Sequence, residues 1–265
     1  MNTTVFVGCS FTKGSGLVGE QASPDLWANR LHQSVFQLQS TELINLGVGG
    51  NDNETIFQNS VEAISTCPKY LFVGWTLFPR ITINPGIEMY ETKQCWGSWE
   101  TPNEIRLNKN LIYTKKYLTD VKDKLFDLLN DHYEIIKILK YSTLITNLCL
   151  LSNTKVFFIN GLIPWDTDYF IKQEETLPSN TTQYTQQLLN ADSRDDDEFW
   201  MLYNKIHNEY NIAGYPGNNW LNLYQAYNKS FMLDFGTDNL HPGPNSNRAF
   251  AEFLTKKLTH YLERI

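Results

Sequence analysis

No run of lysine or arginine in this 265-residue chain is long enough to follow a phosphate backbone, and 22 basic residues against 29 acidic ones leave a net charge of -7. That balance argues against nucleic acid as a partner and suits neutral or cationic ligands better. No apolar stretch approaches membrane-spanning length, about 20 residues, so no membrane partner is expected. The N-terminus lacks a basic segment leading into an apolar one, so Met1 to Gly8 reads as the start of a strand and not as a signal peptide. Cysteine is sparse. Cys9, Cys67, Cys95 and Cys149 form no C-x-x-C pair and have no histidine at metal-ligand spacing. This argues against a structural zinc site and points to free thiols in a reducing, cytoplasmic setting. The sequons at Asn180 and Asn228 read as chance matches without a secretion signal. Internal repeats and low-complexity linkers are also missing.

The chain is 42% hydrophobic and 14% aromatic, enough apolar surface for a compact fold. Its length suits one domain over residues 1–265, with inserted loops near 77–102 and 164–193. Short β-branched and aromatic runs predict strands at Thr3–Gly8, Glu42–Leu46, Tyr70–Gly74 and Lys155–Asn160. Ser23-Pro24 signals a helix start, with Ser23 as N-cap and Pro24 at the first helical position. Asn51 or Asp52 can cap a second helix running through Ile56, Phe57 and Val61. Helix formers dominate from Asn103 to Ser152, which predicts two helices or one long bent one. Pro244 and Asn245 open a last helix in which Phe250, Phe253, Leu254, Leu258, Tyr261 and Leu262 share one face. Strands alternating with helices predict an α/β fold with a mainly parallel sheet and functional loops at the strands' carboxyl ends. The acidic cluster Asp192, Asp195, Asp196, Asp197 and Glu198 reads as favourable charge at a helix N-terminus rather than a metal site.

A serine hydroxyl becomes a nucleophile only when a base takes its proton, and the base needs a third group to orient it. One set in the chain meets that need. Ser10 follows the first strand, and Asp238-Asn239-Leu240-His241 lies just before the last helix, where a turn can bring carboxylate and imidazole together. The remaining histidines, His32, His132, His207 and His260, sit in helical patterns and read as surface or packing residues.

The order of these segments resembles the SGNH (GDSL-like) hydrolase family, in a variant of the kind that bacteriophages encode. Gly8-Cys9-Ser10 matches the family's Gly-Asp-Ser block with Cys in place of Asp, and Asn45-Leu46-Gly47-Val48-Gly49-Gly50 matches its glycine block. Asp238 and His241 match the terminal Asp-x-x-His block. The remaining block, Gly-x-Asn-Asp, aligns with Gly74-Trp75-Thr76-Leu77, so Thr76 stands where the family has Asn.

The resemblance implies a three-layer α/β/α sandwich of the flavodoxin-like kind. It also implies ester hydrolysis through a Ser10 acyl-enzyme, with Ser10, Gly50 and Thr76 around the oxyanion and no metal or organic cofactor. The substrate it implies is a small-molecule or carbohydrate ester. Trp96, Trp99 and Trp165, in the insertions, slightly favour a sugar-bearing one. Arg80 is an alternative oxyanion donor beside Thr76. The second reading, favoured by Thr76, is a binding or structural module of the same fold with reduced turnover, virion-associated if the chain is phage-encoded; an acyltransferase with the same triad is a third.

Other motifs fit less well. Gly14-Ser15-Gly16-Leu17-Val18-Gly19 has the spacing of a dinucleotide fingerprint, but the strand ends near Gly8, the helix signal comes at Ser23, and the second strand ends without an acidic residue. Ser10-Phe11-Thr12-Lys13 is a formal S-x-x-K without its companion motifs, and no G-x-S-x-G elbow exists.

Overall fold

The apolar runs read as strands are buried along their whole length at Thr3–Gly8 and Tyr70–Gly74, as expected of parallel strands covered on both faces. The structure, a computed structural model, describes residues 2–36, 41–76, 80–83, 94–97, 104–106, 112–114, 131–160, 220–222, 233–239 and 241–262. The first elements are β1 (Thr3–Gly8), α1 (Ser10–Lys13), a 3-10 turn (Glu20–Ala22), α2 (Trp27–Leu31) with a π-helical turn (His32–Phe36), β2 (Glu42–Gly47) and α3 (Asn53–Ser65). Then come β3 (Tyr70–Gly74), β4 (Arg80–Ile83), β5 (Gln94–Gly97), β6 (Glu104–Arg106) and β7 (Ile112–Thr114). The chain continues with α4 (Asp131–Leu151), β8 (Lys155–Asn160), β9 (Trp220–Asn222) and α5 (Pro244–Leu262).

Five strands form one sheet in the order β2-β1-β3-β8-β9, every pair parallel. Successive side chains go to opposite faces. Val5, Val7, Leu71, Val73, Val156 and Phe158 pack with Ile56 and Ile64 of α3 and Ile138, Leu139 and Ile145 of α4. Phe6, Tyr70, Phe72, Phe157 and Ile159 pack on the other side with Trp27 and Leu31 of α2 and Phe250, Leu254 and Leu258 of α5. The molecule is therefore an α/β/α sandwich. On the second face Phe6 stacks on Phe72 at 4.6 Å and Phe72 on Phe157 at 4.8 Å, one ring from each of three adjacent strands. Each such fully buried side chain contributes about 1.5–3 kcal/mol of transfer free energy. The chain leaves β1 for β2 on one side and then crosses to β3 on the other, so the sheet's topological switch point lies at the carboxyl end of β1.

Three local expectations are corrected. Ser23 does not cap α2: its carbonyl accepts from Leu26 N–H at 3.2 Å and from Asn29 Nδ2 at 2.7 Å, which spends the turn on closing the loop, and the helix begins at Trp27. Residues 104–106 and 112–114, within the 103–152 stretch read as helical, are instead the antiparallel strands β6 and β7. The 77–102 insertion, read as a loop without regular elements, contains the antiparallel pair β4 and β5. The 164–193 insertion and the acidic cluster lie outside the described residues. Cys9, Cys67 and Cys149 are free thiols. No helix among the described residues is long and apolar enough to cross a membrane.

Candidate active site

At the carboxyl edge of the sheet, α1 is sunk onto the ends of three strands, each of which finishes in glycine. A Cβ on Gly8 would lie 2.1 Å from Thr12 Oγ1, one on Gly47 2.4 Å from the Lys13 nitrogen, and one on Gly74 3.1 Å from Thr12 Oγ1. Any side chain at Gly8 or Gly47 would lift the helix off the sheet. Ser10 opens α1 and is 5% exposed, so it starts a helical turn and is less accessible than an open loop serine. Its N–H and its hydroxyl have no hydrogen-bond partner among the described residues.

After α1 the chain turns through Gly14, Gly16 and Gly19 at φ of 84°, 85° and 82°, the left-handed region that glycine enters without strain. This turn is the dock for the loop before α5. The Gly16 carbonyl accepts from the Thr237 N–H at 2.8 Å and from the Thr237 hydroxyl at 3.2 Å. Within that loop, Asp238 Oδ2 accepts from His241 Nδ1 at 2.6 Å and Oδ1 accepts from the His241 N–H at 3.0 Å. A carboxylate on Nδ1 fixes the proton there and leaves Nε2 as the acceptor nitrogen. The His241 ring meets the Phe11 ring edge-on at 5.3 Å, which sets the imidazole beside the helix that Ser10 opens. Ser10 and His241 are not hydrogen-bonded to each other; Phe11 and Gly16 are what connect them.

The exit of the loop is anchored by Asp234, whose carboxylate accepts from the N–H groups of Asn245 at 3.0 Å and Ser246 at 2.8 Å and from the Ser246 hydroxyl at 2.8 Å. Burial pushes the Asp234 carboxyl up, but these donors outweigh it and hold it below the usual carboxylate range.

The glycine block forms the other wall. Asn45 Nδ2 donates to Thr12 O at 2.8 Å and its Oδ1 accepts from Gly47 N at 2.8 Å, tying β2 to α1. Gly50 turns at φ 78°, and its N–H has no partner among the described residues. Asn51 Nδ2 reaches Gly8 O at 3.3 Å, and Asp52 caps α3 by accepting from Thr55 N at 2.8 Å. Thr76, just beyond β3, is 4% exposed, and its buried hydroxyl has no hydrogen-bond partner among the described residues. Its backbone is taken by Asn53: Oδ1 accepts from Thr76 N at 2.8 Å and Nδ2 donates to Thr76 O at 3.1 Å.

All five candidate residues thus lie along one edge: Asp238 and His241 in direct contact, Ser10 on the helix beside them, and Gly50 and Thr76 linked through the start of α3. Arg80 lies in β4 and Trp96 in β5, but their side chains are outside the described residues, as are Trp99 and Trp165. Gly16, Asn53, Thr237 and Asp234 were not singled out for this site by the sequence. Only Gly16 left a signal there, as part of a glycine spacing that suggested a different ligand.

No family model matches the sequence. No curated protein matches it either. Among solved structures, the chain is similar to the psychrotrophic esterase EstA of Pseudoalteromonas sp., determined in a form inhibited by monoethylphosphonate; the TM-score is 0.51 at 13% identity, over 99% of this chain and 100% of the esterase. It is also similar to a lipase/acylhydrolase from Enterococcus faecalis, with TM-score 0.48 and 14% identity over 98% of this chain and 96% of that one. A carbohydrate acetylesterase family member from Sinorhizobium meliloti gives 0.48 and 11% over 99% and 100%. At such identity, what the likeness to the Pseudoalteromonas esterase shows is the fold: the chain shares its mainly parallel α/β/α architecture.

Proposed function

We propose that this chain is a serine esterase of the SGNH type, one domain that hydrolyses a carboxylic ester through an acyl-enzyme on Ser10. His241 Nε2 takes the serine proton as the hydroxyl attacks the ester carbonyl, then returns it to the leaving alcohol, and the same steps run with water to release the acid. Asp238 holds the imidazole and stabilises its cationic form. The N–H groups of Ser10 and Gly50 and the hydroxyl of Thr76 are the donors for the tetrahedral oxyanion. The observation that carries the reading is the 2.6 Å contact between Asp238 and His241 Nδ1, in a loop docked on the glycine turn that follows Ser10. The finer reading, an ester on a carbohydrate, rests on the tryptophans of the insertions and on stacking of sugar rings against aromatic faces.

A fluorophosphonate probe tests this directly, because only an activated hydroxyl attacks phosphorus at a useful rate near neutral pH. The expected adduct maps to Ser10, and Ser10→Ala abolishes both labelling and hydrolysis of p-nitrophenyl acetate. A folded protein that stays unlabelled would favour the binding-module reading, and an adduct elsewhere would move the nucleophile.

A further inference from the structure

We infer that Asn53 is a positioning residue of the proposed ester-hydrolysing site, holding Thr76 so that its hydroxyl stays available to the oxyanion; this rests on the serine esterase reading. Asn53 is 4% exposed and opens α3, three residues after Gly50. Both ends of its amide go to one residue, with Thr76 N donating to Oδ1 at 2.8 Å and Nδ2 donating to Thr76 O at 3.1 Å. This two-point clasp supplies the pairing that β3 loses where it ends, and it uses up both backbone polar groups of Thr76.

The hydroxyl is what remains. It is buried and without a partner among the described residues, which is unfavourable in an unliganded protein unless something else compensates. A substrate oxyanion is an acceptor of the kind that would. A threonine side chain is shorter than the asparagine of the resembled family, so its usefulness depends on where its backbone sits. Asn53 sets that position relative to Gly50, because α3 is itself locked by the Asp52 cap at 2.8 Å. The bland alternative is that the amide merely satisfies a strand end. The two roles differ in what they predict: a structural amide supports the melting temperature, whereas a positioning amide supports kcat through Thr76.

A double-mutant cycle separates them. With p-nitrophenyl acetate, measured well below the melting temperature, Asn53→Ala is expected to lower kcat about tenfold, a fraction of the 10²–10³ that loss of an oxyanion donor costs. KM stays nearly unchanged, and fluorophosphonate labelling of Ser10 slows in parallel. The Asn53→Ala/Thr76→Val double variant is expected to be no slower than Thr76→Val alone. If Asn53→Ala does not fold, Asn53→Asp carries the test: its carboxylate still accepts from Thr76 N–H but opposes Thr76 O, so its kcat relative to the parent recovers as pH falls and the carboxyl gains a proton to donate. Unchanged kcat in Asn53→Ala, losses that multiply in the double variant, or a pH-independent deficit in Asn53→Asp overturns the positioning role while leaving the esterase standing. A parent protein that neither labels nor turns over removes the esterase reading and this inference with it.

Discussion

Gly16 and Asp238 approach so closely that a methyl group built on Gly16 would lie 2.9 Å from Asp238 Oδ1 and 3.1 Å from His241 Cβ. Gly16 also sits at φ 85°, where a Cβ costs about 1–2 kcal/mol. Gly16→Ala is therefore expected to lower stability by that order and to push the Asp238–His241 pair away from Ser10, with a loss in kcat of at least about tenfold, since small displacements of reacting groups are costly. Urea denaturation and steady-state hydrolysis on the same preparation check both. Full activity in Gly16→Ala would mean that the loop contact does not position the proposed triad.

Asp238→Asn keeps the size of the side chain but reverses what it offers to Nδ1. The proton would move to Nε2, which could then no longer accept from Ser10. Turnover is expected to fall roughly ten-thousand-fold, as in other triads. Unchanged kcat in this variant would remove Asp238 from the mechanism.

His32, 8% exposed, lies in the turn after α2, and its Nε2 contacts Thr41 O at 2.9 Å. Burial lowers its pKa, and the hydrogen bond to Thr41 only partly offsets this. The unfolded chain takes up this proton near pH 6.5 and the folded one only at lower pH, so stability falls with pH below about 6.5 and the loss levels off below the folded pKa. His32→Gln is expected to flatten that part of the profile, read as the urea midpoint between pH 7 and pH 5. The same slope in parent and variant would place the titration elsewhere.

Asp234 acts in a lower window. Its carboxyl is held below the usual range, so the stability it contributes is present above the ordinary aspartate pKa of about 3.9 and is lost as pH falls through the folded value. Asp234→Ala leaves the first N–H groups of α5 without their acceptor and is expected to cost about 1 kcal/mol at neutral pH, the usual worth of a helix cap. A thermal melt unchanged by the substitution would contradict that assignment.

Much of the scaffold was legible because its signals are local. The runs Thr3–Gly8, Tyr70–Gly74 and Lys155–Asn160 coincide with β1, β3 and β8, since a parallel strand covered on both faces must be apolar nearly throughout. Pro244 starts α5 as read, because proline at a first helical position gives up an N–H that would be unpaired anyway. Ser23 misled because Asn29 and Leu26 compete for its carbonyl, and the pairs β4–β5 and β6–β7 were missed because antiparallel pairing in short segments leaves no period to read.

For the candidate site, residue chemistry and order along the chain singled out Ser10, Asp238 and His241, while Gly50 and Thr76 came only from the resemblance to the SGNH blocks. The sequence by itself determined which residues carry hydroxyl, imidazole and carboxylate, and that strand ends and turns hold them. Only the tertiary structure decided how they are held. The Thr237–Gly16 hydrogen bond spans 221 positions and the Asn53–Thr76 clasp 23, and both arise where parallel strands bring distant chain ends to one edge of a sheet. Such contacts follow from topology, which no local propensity encodes.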